Sequence, residues 1–241
     1  MTDRVRFALF AAGIVPLGVF LVWAVAGLSP FGYYPGPYGD VVNAIATAQR
    51  HVLNVATAVN FDYRGFDTLG EEYILFTSVA GLILILRERR QTQGKRTSLG
   101  ETERADGVGA LSLVLLPVIV VFGMYMAVHG GLTPGGGFQG GAIIASGFLL
   151  AYLGSGHPAF HAIGKIEILE VFESLGAAAY VVIGLAALGL GLSFLQNFMP
   201  LGGRGNLVSG GTIWAINIAV MLEVATGLVI ALSEFLKEIE P

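Results

Sequence analysis

The 241-residue chain contains no cysteine, which excludes disulfides, thiol chemistry and cysteine-ligated iron–sulfur clusters within it. Charge is scarce as well. Only 12% of residues are Asp, Glu, Lys or Arg, about half the share usual in soluble domains, and a net charge of −4 leaves no basic footprint for nucleic acid. No phosphate loop, nucleophile elbow or zinc-protease motif occurs, so the sequence offers no catalytic residue and calls for no cofactor. Apolar mass takes the place of charge: 54% of residues are hydrophobic, accompanied by 35 glycines. This is the composition of an integral membrane protein.

A helix needs about 20 apolar residues to cross the hydrocarbon layer. On that ruler the sequence predicts six spans, over 7–28, 69–87, 108–129, 138–154, 168–195 and 209–235, hence an all-α, polytopic fold. The first run follows Arg4 and Arg6 as a signal peptide would, but it is too long and lacks a small-x-small cleavage pattern, so it reads as a retained span. The second is short. Its charge-free core, Tyr73 to Leu86, needs Leu69 to Glu72 as a first turn, and Thr68-Leu69-Gly70-Glu71 has the S/T-x-x-E form of a capping box, with Glu72 unexplained by the cap. Residues 40–58, with Asn43, Gln49, Arg50, His51 and Asn54 among apolar neighbours, suit an interfacial or partly buried helix. Pro16 and Pro117 each remove a helix donor in mid-span and predict local bends.

Lysines and arginines collect on the untranslocated side. Alternating the loops puts ten of the 13 basic residues on one side and Arg50, Arg64 and Arg204 on the other, so both termini are expected in the cytoplasm. The run 91–106 is a polar cytoplasmic linker between a two-span unit, 1–90, and a four-span unit, 107–241. Ahead of the fourth span, Thr133, Pro134, Gly135, Gly136, Gly137, Phe138, Gln139, Gly140 and Gly141 form a glycine-saturated turn. Gly136/Gly140 and Gly137/Gly141 bare the helix face one turn apart, so something packs closely there. The G-x-G-x-x-G within it lacks the preceding strand of a dinucleotide fingerprint and reads as a tight or re-entrant turn.

Three ordered blocks carry a family resemblance: Thr133 through Gly141, then Glu173-Ser174-Leu175-Gly176-Ala177, then Gly210-Gly211-Thr212-Ile213 with Asn217-Ile218-Ala219-Val220 and Leu222-Glu223-Val224. Over these the C-terminal unit resembles the MnhB-type B subunit of the Mrp-type multisubunit sodium/proton antiporters. The segment Asn60 to Glu71 is similar instead to the region near the end of the large A subunit, or to the small membrane subunit of membrane-bound hydrogenases. Gly131 and Trp214 depart from the pattern, where relatives often place a histidine and a proline. The resemblance implies other antiporter subunits and the lipid bilayer as partners, Na⁺ and H⁺ as transported ions, and the plasma membrane of a prokaryote as location.

An ionisable group at the bilayer centre costs about 2.5–3.5 kcal/mol on insertion scales, which makes lone intramembrane carboxylates candidates for an ion or proton path. Glu223 and Glu173 are two, on neighbouring antiparallel spans. Each could instead bond to a neighbouring protein chain and lock the assembly, and Glu167, Glu170 and Glu173 also suit the acidic start of a helix. Asp67 and Glu71 near the outer end of the second span serve either as caps or as an ion funnel. Asp62 and Arg64 are placed to pair. His129 reads as a capping or interfacial residue. His157 and His161 have a metal-like spacing without a third ligand, and Pro158 disfavours a helix there, so no metal site is assigned. The expected function is an accessory, non-enzymatic subunit of a secondary antiporter that exports Na⁺ against H⁺ uptake. The membrane arm of a redox-coupled pump and a pure scaffold remain as alternatives. No inverted repeat of a stand-alone carrier is visible.

Overall fold

The computed structural model describes residues 3–33, 36–93 and 106–239, among which every regular element is helical. Its helices are α1 (Asp3–Ala26), α2 (Pro37–Arg50), α3 (Val55–Ala58) running into a π-helical turn (Val59–Tyr63), α4 (Gly65–Gln93), α5 (Asp106–Val128), α6 (Gly137–Ile163), α7 (Ile166–Gly189) and α8 (Thr212–Ile239). Six of them, α1 and α4 to α8, are long and apolar enough to cross a membrane, in the order the sequence predicts.

Contacts divide the chain between Val41 and Val42. The first unit holds α1, apolar and exposed along its length. The second holds the bundle. At its centre stands α8, packed against α4, α5, α6 and α7, with Ile213, Ile216, Val220, Val224, Val229 and Ile230 buried on every side. A helix apolar around its whole circumference belongs in such a position. By contrast α4 buries a single stripe, Gly65, Thr68, Glu72, Val79 and Leu86, whose near-heptad spacing keeps it on one helix face. The linker expected over 91–106 includes residues 94–105, which lie outside the described residues.

Several boundaries differ from expectation. Helix α4 begins at Gly65 rather than at the Thr68 capping box. Thr68 is buried inside the helix, so tertiary burial overrides the local cap. The interfacial helix expected over 40–58 is broken at His51, which takes φ +57° while its Nδ1 meets the Gly202 carbonyl at 2.6 Å. Helix α7 stops at Gly189, short of 195, as Gly191 turns the chain with φ +77°. Beyond 154, α6 continues through a kink at Gly156 (φ 80°, ψ −177°) to Ile163. Pro158 therefore lies within helix after all. Because it falls in the first turn past the kink, its missing N–H interrupts no helix bond.

Candidate functional site

The glycine turn meets the close packing its composition predicts, and its partners come from this chain. Asn54 donates to the carbonyls of Gly130 and Thr133 at 2.8 and 3.0 Å, and Thr57 Oγ1 donates to Gly130 at 2.6 Å. On the other side Asn217 of α8 clamps both helices at once, its Nδ2 donating to Ala127 O at 2.5 Å and its Oδ1 accepting from Gly137 N at 2.6 Å. Gly136, at φ +149°, enters α6 through a conformation that side-chain-bearing residues rarely adopt. One turn on, a Cβ at Gly141 would stand 2.8 Å from Ala225 N and Val224 Cβ, so glycine lets α6 and α8 touch backbone to backbone. His129 caps the end of α5, its ring 3.9 Å from that of Tyr125.

These contacts gather residues 51–64, 129–136 and 190–211 at one end of the bundle. Asn197 reinforces that end, donating to Gly210 O at 2.7 Å and accepting from Thr212 N at 3.0 Å. Helices α4 and α8 start at this loop end and α7 finishes there.

Within the bundle three carboxylates converge from three helices: Glu72 of α4, Glu173 of α7 and Glu223 of α8, 3%, 5% and 1% exposed. Glu72 and Glu173 both lie within electrostatic reach of Glu223. Gly176 brings α7 onto α8 beside Glu223, and Glu173 Oε1 lies where Gly227 leaves room, 3.1 Å from the place a Cβ would take. Both oxygens of Glu223, Oε2 of Glu72 and Oε1 of Glu173 have no hydrogen-bond partner among the described residues. At 1.5 Å rise per residue, Glu72 lies about 10 Å, Glu223 about 16 Å and Glu173 about 24 Å along its own helix from the loop end. The carboxylates thus form a staggered line. Glu170 and Glu167 extend it down α7, since three-residue steps are neighbours on a helix surface, and Glu170 lies within electrostatic reach of Glu173.

The structure brings together Glu223 and Glu173, two of the sequence candidates, and leaves the other two outside the line. Glu71 is exposed, and Asp67 is half-exposed and paired with Arg64. In their place Glu72 turns inward. The signal was the same-face spacing of Gly65, Glu72, Val79 and Leu86, obscured by the capping-box pattern one residue earlier. The expected Asp62–Arg64 pair is likewise replaced, because the π turn swings Asp62 onto Arg50 of α2, whose guanidinium also sits 5.0 Å from the centre of the Tyr63 ring. Burial pushes the Asp62 carboxyl above its ordinary range, while the charge and hydrogen bond of Arg50 pull it back. His161 packs edge-on to Phe160, and the His157 side chain lies outside the described residues.

A family model described as a domain related to the MnhB subunit of Na⁺/H⁺ antiporter matches residues 108–230. An uncharacterized protein of Methanocaldococcus jannaschii is 31% identical over 208 residues, 78% of either chain. A probable K⁺/H⁺ antiporter A/B subunit of Rhizobium meliloti is 29% identical over 123 residues, 43% of this chain and 12% of that one. Among solved structures, a chain of the membrane-bound sulfane sulfur reductase, an archaeal respiratory membrane complex, superposes with a TM-score of 0.73 at 32% identity, over 96% of this chain and 98% of its own. A chain of the Mrp complex from Dietzia superposes with a TM-score of 0.71 at 24% identity, over 97% of this chain and 26% of its own. That last likeness speaks to the fold alone.

Proposed function

The chain belongs to the family of domains related to the MnhB subunit of Na⁺/H⁺ antiporters, and we propose that it is a proton-conducting accessory subunit of a multisubunit cation/proton antiporter-type membrane complex. One observation carries this reading. Three carboxylates from three helices are buried in a staggered line, and four of their oxygens have no hydrogen-bond partner among the described residues. A purely structural carboxylate would be expected to satisfy its oxygens, since each ionised group costs about 2.5–3.5 kcal/mol at the bilayer centre. A group that takes up and releases a proton needs free oxygens. Glu72, Glu223 and Glu173 relay protons along the α4–α8–α7 seam, and Glu170 and Glu167 lead them to the opposite end. The chain catalyses no covalent chemistry. Cation exchange is completed by the other subunits, Na⁺ leaving as H⁺ enters.

The near-complete alignment with the sulfane sulfur reductase chain favours a second setting for the same path, the membrane arm of a redox-coupled pump. Mass analysis of what co-purifies with this chain in mild detergent separates the two settings, because only the second brings cofactor-bearing subunits.

Glu223→Gln tests the path. It keeps the shape of the side chain and removes its titration. In the native complex, reconstituted in vesicles, proton-coupled transport should fall at least tenfold while the complex elutes intact. Normal transport by the variant would leave only a scaffolding role.

A further inference from the structure

Helix α4 carries two unlike faces. One is the buried stripe that packs on α8. The other, on the opposite side, carries Gly70, Glu71, Ile74, Thr77, Ser78 and Gly81, of which all but Gly81 are exposed and Gly81 is half-buried. Steps of three and four residues keep them on one side of the helix. A Cβ at Gly70 or Gly81 would meet nothing within 4 Å, so packing within the bundle does not require either glycine. The hydroxyls of Thr77 and Ser78 donate back to the carbonyls of Tyr73 and Ile74 at 2.7 and 2.6 Å, which leaves their oxygens as acceptors. Glu71 lies about 9 Å along α4 from Gly65, inside the stretch Gly65–Leu86 that is apolar enough to cross a membrane. It has no hydrogen bond or ion pair among the described residues, and Arg64, at the same end of α4, is held by Asp67.

Lipid does not suit such a face. Helix α5 shows the contrast: its exposed side is built of Val108, Leu111, Val114, Val118, Val121 and Phe122. A carboxylate turned toward hydrocarbon is costly, and ionisable groups within spans almost always face protein and find a partner there. Glycine and hydroxyl residues are the ones that let membrane helices approach closely. We propose that this face of α4 docks a transmembrane helix of another subunit, which brings a lysine or arginine against Glu71. The sign follows from the chemistry on the face, where Glu71, Thr77 and Ser78 offer acceptors, so the occupant must supply the donors. A second copy of this chain would set acceptors against acceptors. The inference rests on the reading of the chain as a subunit of a larger complex, and not on the proton relay.

Gly81→Leu tests the face. Leucine is a better helix former than glycine and meets nothing else in this chain, so the bundle keeps its fold and only an incoming helix is obstructed. Val118→Trp, on the exposed side of α5, is the control. The tagged chain is purified from native membranes in mild detergent, and each co-purifying subunit is counted per chain by mass analysis. Gly81→Leu is expected to lower one subunit at least fivefold while the chain itself stays at its parental level, and Val118→Trp to leave that subunit unchanged. Glu71→Lys should lose the same subunit, and replacing an intramembrane lysine or arginine of that subunit by glutamate should restore it. Parental assembly by both Gly81→Leu and Glu71→Lys would overturn the proposal, leaving lipid or α1 against the face. Equal loss from Val118→Trp would overturn it too, since no face would then be singled out. A lost subunit without a basic residue in any span, or an untagged copy of this chain as the lost partner, would refute the stated occupant. Normal transport by Glu223→Gln would remove the proton path and leave the docking face standing, whereas a chain that purifies without other subunits would remove the complex and the docking face together.

Discussion

Gly176 of α7 lies against the backbone of Glu223 on α8: a Cβ at Gly176 would stand 2.7 Å from the Glu223 amide nitrogen and 2.8 Å from its Cβ. The obstacle is a neighbouring helix backbone, which cannot rotate aside as a flexible side chain would. Gly176→Ala must therefore spread α7 from α8, and overpacking of this kind costs about 1–3 kcal/mol. The expected outcome is a lower unfolding midpoint of the detergent-solubilised complex and a smaller assembled fraction. An unchanged midpoint would mean that the two helices are not in the close register described.

Asn217 offers a separate test, of the glycine turn. Its side chain bonds Ala127 O and Gly137 N together, and Asn217→Ala leaves the buried Gly137 N–H without its partner, while Ala127 O keeps the bond it accepts from Gly130 N. Such a loss costs about 1–3 kcal/mol, so the thermal midpoint of the complex should fall. Asn217 carries no proton, so transport per assembled complex should be retained. A loss of transport at full assembly would place Asn217 in the path instead of the scaffold.

How much of this was legible beforehand follows the physics of each feature. Six spans and a turn demanding close approach are readable because apolar length and bare glycine faces are local properties. Glu223 and Glu173 are readable because a charge inside an apolar run announces itself. Glu72 is not readable in the same way. It sits beside Glu71 at a helix end, where a carboxylate has a sufficient local explanation, and only the packing of α4 on α8 decides which of the two turns inward. Asp62 likewise finds Arg50 rather than Arg64 because a π turn, which no residue pattern here signals, rotates it toward α2.

Asp62 also carries a pH dependence whose sign is fixed by its surroundings. Burial is the larger influence and raises its pKa above the ordinary 3.8, with Arg50 opposing. The folded chain therefore holds the Asp62 proton to higher pH than the unfolded chain does. Stability from this group is greatest below about pH 4, where both states are protonated, and declines as pH rises through the folded pKa. Asp62→Asn should remove this decline, and Arg50→Gln, which leaves burial unopposed, should extend it to higher pH. Hydrogen exchange of residues 53–63, corrected for intrinsic rates, would measure the local opening free energy. Parallel curves for parent and Asp62→Asn between pH 4 and 7 would contradict the assignment.

A line of carboxylates that passes protons one to the next is a series circuit, and this distinguishes it from three separate buried acids. In a series, transport is limited by the step that has been broken, so a second break adds little. Glu72→Gln, Glu223→Gln and Glu173→Gln should each lower proton-coupled transport about tenfold or more. The pair Glu72→Gln/Glu223→Gln should be no slower than the slower of its two members, because residues acting as one unit are strongly non-additive. Independent sites would multiply their losses, since effects at uncoupled positions add as free energies. The measurement is the initial rate of proton uptake in vesicles, normalised to assembled complex. A double variant slower than the parent by the product of the two single factors would show that Glu72 and Glu223 do not lie on one path, even if each of them matters alone.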